Sequence, residues 1–321
     1  VVPSSTSDIS VSATSLFDGQ GPTFNTAGNV TLTTTEWNLA GGKIGTPANI
    51  RILPLTSAGF SSDFYLSNLV VNPTINAVSY IPRTLQIGDV TNNKVVYWNS
   101  ATTVNGSISV YGSNVQLSAA MTSSATGDIW LQGNTADNYS IYFSSAGAIN
   151  KTGGALSNIT LRANGRVNLE AATSNTVTAS NTGGANVVLW SDYGNASVGG
   201  VSTGSIDTGG GHLWIGGSSS TNGTLTWKGL TVGDGPSVGG TGMNSVAVGL
   251  SGNITSRGGD VLIWAGNGTT AATDNGIVLI TNAKTLNAGL GNITLITPRI
   301  GGYVLTANTT GTFTWAPSSA N

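Results

Sequence analysis

The sequence predicts an all-β chain: a parallel β-helix (β-solenoid) with an irregular N-terminal β cap or small β domain. Three observations carry this expectation. Apolar residues at helical spacing are almost absent, and Gly, Ser, Thr and Asn fill every window in which a helix would form. Short apolar runs bounded by Gly and Asn recur instead. Those runs return at short intervals, which is the mark of stacked repeats.

Taken in chain order, residues 1–100 read as the irregular part. Pro3, Pro22, Pro47, Pro54, Pro73 and Pro82 fall there, and no proline occurs from 83 to 235. Proline brings no N–H to a ladder and is kept out of central strands. Residues 101–300 read as solenoid coils. Ile206 aligns with Ile254, Leu213 with Val261 and Ile215 with Ile263, each at an offset of 48, and Gly210–Gly211 aligns with Gly258–Gly259. Val187 falls 26 before Leu213, and Ile108, Ile129, Ile149, Val167 and Val187 follow one another at intervals of 18 to 21. A coil of about 20–25 residues would hold two or three short strands, and stacking would pair each strand with its neighbour ~4.8 Å along the axis. Alternation sends Leu213, Ile215, Val261 and Ile263 inward, and Trp214, Leu262 and Trp264 outward. Residues 301–321, with Tyr303–Ala307 and Thr312–Trp315, read as terminal strands that cover or continue the last coil.

Charge narrows the function. The 321 residues carry 11 basic and 13 acidic side chains, only 7% charged, against about 25% in an ordinary domain. Stacked coils repeat each surface position, so an ionic ladder would repel itself, whereas uncharged Ser, Thr and Asn can bond along the stack. No basic face exists for nucleic acid. No apolar run reaches the ~18 residues of a membrane-spanning helix. Without cysteine there are no disulfides and no thiolate-held metals. The chain opens at Val1 with no Met and no leader-like stretch, as expected of a mature or excised segment.

Gly252–Gly266 (GNITSRGGDVLIWAG) and Gly204–Ile215 (GSIDTGGGHLWI) resemble the repeat style of filamentous-haemagglutinin-like proteins and autotransporter passenger β-helices of bacterial surfaces. The resemblance covers roughly residues 100–300. It implies a right-handed parallel β-helix that is secreted or cell-surface displayed, serving adhesion or forming a fibre. The Asn-Pro-Asn-type signature of that family's secretion domain is missing near the start, so the chain is not expected to be that domain.

Candidate sites follow from residue type. The one histidine, His212, occupies the position that Asp260 fills in the aligned coil and reads as an exposed corner residue; a Ser-His-Asp triad would need partners that spacing does not locate. Glycoside hydrolysis needs two carboxylates across one bond. Asp128, Asp137, Glu170, Asp192, Asp207, Asp234, Asp260 and Asp274 are spread singly, as are Arg162, Arg166, Lys228 and Arg257. No calcium loop, phosphate loop or dinucleotide fingerprint is present, so no metal and no cofactor is expected. The binding candidates are Trp190, Trp214, Trp227 and Trp264, an aromatic ladder for stacking on sugar rings unless loops or a neighbouring subunit cover it. Asn-x-Ser/Thr sequons are many, from Asn29 to Asn308, and offer glycan acceptors if the source glycosylates surface proteins. The expectation is an extracellular structural or adhesive solenoid, not an enzyme. Its partners would be glycans or a host or neighbouring cell surface, or further copies in a filament paired through the strand-like Val1–Thr14. The alternative is a polysaccharide lyase or hydrolase on the same scaffold.

Overall fold

The computed structural model describes residues 6–17, 21–39, 41–144, 146–170, 176–179, 184–196, 199–239, 246–266, 276–279 and 282–317. Short β-strands carry the described chain, and they stack into three long parallel sheets of twelve, nine and eight strands. This is a parallel β-solenoid. A full coil contributes one strand to each sheet: Ile108–Gly112 to the first, Val115–Leu117 to the second and Ala120–Ser123 to the third. In these strands buried and half-buried residues alternate, so every second side chain enters the core.

The first sheet shows the packing most plainly. Its inward row runs Ile9, Val30, Ile50, Leu85, Ile108, Ile129, Ile159, Val187, Leu213, Val261, Ile293 and Phe313, each in register with the next. Val30 to Ile293 in this row are essentially inaccessible to solvent. The paired offsets of 48 and 26 expected from the sequence are the true register here: Leu213 faces Val261, Ile206 faces Ile254, and Val187 faces Leu213.

One part of the expected ladder is corrected. Ile149 and Val167 do not lie between Ile129 and Val187. Ile149 belongs to the third sheet, beside Met121 and Val177, and Val167 to the second, beside Ile141 and Val201. Ile129 pairs with Ile159, 30 residues on. The three faces share one apolar-x-apolar pattern, so equal spacing merged positions from different faces. Coils are also less uniform than expected, from 20 residues between Ile293 and Phe313 to 48 between Leu213 and Val261.

Residues before 100 join the same first sheet through Ile9–Phe17, Val30–Asn38, Asn49–Pro54 and Thr84–Ile87. Their irregularity lies elsewhere in the cross-section. A separate three-stranded sheet of Thr23–Asn25, Gly42–Gly45 and Leu69–Val70 precedes the third sheet, which begins at Thr102–Val104. Asn72 bridges to that strand by accepting the Thr103 N–H at 2.8 Å and donating to its carbonyl at 2.7 Å, so a side chain makes the contact a backbone ladder would make. Beyond 300, Ile300–Gly301, Leu305–Thr309 and Phe313–Ala316 each extend one long sheet and so continue the stack.

Glycine serves the corner by close approach. A Cβ on Gly211 would strike the Ala185 carbonyl, one on Gly259 the Gly211 carbonyl, and one on Gly291 the Gly259 carbonyl. These three form a column in which successive coils touch backbone to backbone, which explains the Gly-Gly pairs seen in sequence.

Candidate functional site

The site grows from the corner that leads into the first sheet. The residue just before the first inward position is Asp8, Asn29, Asn49, Thr84, Ser107, Asp128, Asn158, Asn186, His212, Asp260 or Asn292 in successive coils, with Thr312 closing the series. Most of these side chains accept a hydrogen bond from the residue one coil on. Asp8 Oδ1 takes the Asn29 N–H at 2.8 Å, Asp128 Oδ1 takes Asn158 at 2.8 Å, and Asp260 Oδ1 takes Asn292 at 2.7 Å. Asn186 Oδ1 takes the His212 N–H, and Asn292 Oδ1 takes the Thr312 N–H at 2.8 Å. The ladder satisfies corner donors that the sheet does not reach.

His212 stands in this ladder as an asparagine would. Its Nδ1 accepts the Asp260 N–H at 2.9 Å, so the neutral ring carries its proton on Nε2. Burial holds its pKa below the ordinary 6.5, Lys228 pushes the same way, and Asp260 opposes them. Its corner position is the one the sequence implied, although the side chain is half-buried where the sequence suggested an exposed residue.

The coil between Leu213 and Val261 is long because it carries an antiparallel hairpin, Thr224–Trp227 paired with Leu230–Gly233. Lys228 and Gly229 at its tip both have positive φ, 51° and 78°, the backbone of a two-residue type I′ turn. Asparagine is the usual residue at the first of these positions. Lysine there lets Nζ reach Asp260 Oδ2 at 2.6 Å. Burial pushes the Asp260 carboxyl up, but hydrogen bonds from Lys228 and the Asn292 N–H prevail and hold its pKa below the usual 3.8. The His212 ring meets Trp227 edge-on, with centroids 5.7 Å apart.

The hairpin decides the fate of the tryptophan ladder. Val188, Trp190 and Trp214 project from the outer face of the first sheet, and Leu230 and Val232 close over them as a second apolar cluster, with Tyr193, Leu225, Trp227 and Leu262 at its margin. Trp214 does point outward, as the alternation requires, yet it and Trp190 are each only 1% exposed. Trp190 Nε1 donates to Ser218 Oγ at 2.8 Å. As surface platforms for sugars these two rings are therefore withdrawn. Trp227, at the margin of the cluster, and Trp264, outside it, remain half-exposed, and with Trp190 and Trp214 buried the four rings do not form one exposed ladder.

A tryptophan outside the aligned coils belongs to the site. Trp130 lies in the same outward row as Thr160, Val188, Trp214, Leu262, Thr294 and Thr314. The Arg162 guanidinium lies 5.1 Å from its ring centre, 5.5 Å from Trp190 and 4.5 Å from Tyr193. Its outward alternation in Ile129–Trp130–Leu131 was the available sequence signal.

Two grooves flank the hairpin tip. One, about 310 Å³, is lined by Trp227, Lys228, Asp260, Val261, Asn292, Thr294, Thr312 and Thr314. The other, about 220 Å³, is lined by Asp128, Ile129, Trp130, Asn158, Thr160, Val188, Gly229, Leu230 and Thr231.

Several other acids serve backbone and cation partners. Asp137 accepts the Tyr139 N–H, Asp192 that of Ala196, Asp234 that of Ser219, and Asp207 pairs with Arg257. Among the described residues, no three His, Asp or Glu side chains gather as a metal-holding group. Asp274, the sequon Asn267 and the segment Val1–Ser5 lie outside the described residues. In comparisons with known proteins, no family model matches the chain, and neither a curated protein nor a solved structure matches it.

Proposed function

We propose that the chain is an extracellular structural or adhesive rod, working as a surface adhesin segment or as a subunit of an extracellular filament. The observation that carries this reading is the first sheet, whose twelve parallel strands run in register through the whole stack, about 53 Å at the usual strand spacing. Such a stack resists bending because each coil is bonded to the next along every face. Carboxylates spent on neighbouring N–H groups and cations favour this over the lyase or hydrolase alternative, which needs two acids free to face one bond. Secretion or surface display, and glycans or a cell surface as partners, belong to the same proposal.

Electron microscopy of the purified protein tests it. Stiff rods of constant width are the expected result, and compact particles with no long axis would overturn the reading. Turnover of any member of a polysaccharide panel would replace it by the enzyme. Assembly end to end is favoured by one further observation. Phe313 and Trp315 stand in core rows opposite Ile293 and Leu295, yet are 47% and 52% exposed. A second copy stacked on that edge would bury them. Filaments lost on Trp315→Lys are expected if so.

A further inference from the structure

The two grooves beside the hairpin tip have the same make. Each joins an aspartate of the corner ladder, the asparagine one coil on whose N–H that aspartate holds, a threonine of the outward row, and a tryptophan. The sets are Asp128, Asn158, Thr160 and Trp130 on one side, and Asp260, Asn292, Thr294 and Trp227 on the other. Neither the coil lengths nor the hairpin impose this recurrence, since Trp130 comes from the sheet and Trp227 from the hairpin. An aromatic face beside a carboxylate, an amide and a hydroxyl is the chemistry that recognises a pyranose: apolar ring face against the indole, hydroxyls against the polar edge. Thr294 is partly exposed and its hydroxyl bonds no protein group, so it is free for a ligand. Charge favours an uncharged ligand, because Lys228 is neutralised by Asp260 and Asp128 brings a negative charge to the second groove.

We infer that these grooves are paired subsites for one neutral oligosaccharide lying along the solenoid axis across the hairpin tip. Asp128 and Asp260 are four coil steps apart on the ladder, about 19 Å, a span that an extended hexasaccharide covers. This deepens the glycan-partner part of the proposed function, on which it rests, and is separable from the rod itself, since rods in micrographs do not depend on sugar binding and sugar binding does not depend on rods.

The test is an array of neutral hexasaccharides and their disaccharides, followed by calorimetry on the intact protein with the best binder. The expected result is a hexasaccharide bound at least about tenfold more tightly than its disaccharide, as linked subsites require. Trp130→Ala and Trp227→Ala should each weaken it by about tenfold, one stacking contact's worth. Because Trp227→Ala can loosen the hairpin, Thr160→Val and Thr294→Val are measured beside it. These leave the apolar cluster whole and should each weaken binding several-fold with the melting temperature unchanged. Trp315→Ala, at the far edge, should bind as the parent does. No binder on the array, equal affinity for hexa- and disaccharide, a preference for uronic-acid oligomers, or affinity that survives all four groove variants would each overturn the inference.

Discussion

Ile263→Asp places a carboxylate at the centre of the stack. Ile263 is fully buried between Ile215 and Leu295, themselves fully buried, one coil to either side. Losing the isoleucine's burial costs about 1.5–3 kcal/mol. Holding an unpaired carboxylate away from water adds several kcal/mol more. The sum reaches the lower end of a domain's whole stability, about 5 kcal/mol. Solenoid coils gain their stability from nearest neighbours, so the loss should be local: coils next to Ile263 open while those around Ile108 stay closed. Hydrogen exchange read peptide by peptide measures this directly. The effect has a defined pH sense. A buried carboxyl has its pKa raised, so the folded variant binds more protons than the unfolded chain, and its deficit shrinks as the solution is acidified through that raised pKa. Thr122→Asp, on the outward row between Thr103 and Asn150, should change stability by less than about 0.5 kcal/mol. If Ile263→Asp exchanges like the parent at neutral pH, the inward row is misassigned and the register argument falls with it.

Other perturbations probe the hairpin and the ladder. Trp214→Ala should cost about 3–5 kcal/mol through the cavity left under the hairpin, read by thermal melting. Gly233→Ala should lift the hairpin, because the new methyl would meet the Gly217 carbonyl and the Trp190 indole, and tryptophan emission should then shift to the red. The lowered pKa of His212 means the folded state binds fewer protons than the unfolded one below about pH 6.5. Its contribution is therefore present above that pH and is lost as pH falls through the lower folded pKa. His212→Asn should keep the ladder bond and remove this part of the pH dependence; a parent and variant with parallel stability curves between pH 7 and 5 would refute that role.

Legibility in the sequence followed the local physics. The 48-residue match between Leu213 and Val261 was readable because the Gly-Gly corner, the inward pair and the strand length all repeat together, and the glycine column supplies the reason. Ile149 was misplaced because inward pairs look alike on all three faces, and only the corners between them tell the faces apart. The outward direction of Trp214 was readable from alternation, but its cover was not. The hairpin that buries it offers Leu225, Trp227, Leu230 and Val232 as apolar contacts, scattered within a polar stretch. His212 was legible as a corner residue from its alignment with Asp260, whereas its acceptor role depends on a neighbour in the next coil. Lys228 and Asp260 lie far apart in the chain, and only the type I′ tip brings them together.

The coils stack in parallel, one strand per sheet in each, with the hairpin inserted into one of them. A double-cysteine cross-link tests this most directly, since the chain has no cysteine of its own. Asp207 and Thr255 face each other on the outer side of the third sheet across the coil that holds the hairpin. Neighbouring parallel strands bring such positions to about 4.8 Å, within the Cα range a disulfide spans. Asp207→Cys with Thr255→Cys should oxidise to an intramolecular disulfide in the folded protein, while Asp207→Cys with the inward-facing Ile254→Cys should not. Failure of the first pair, or preferential closure of the second, would contradict the stacked register from which every other conclusion is built.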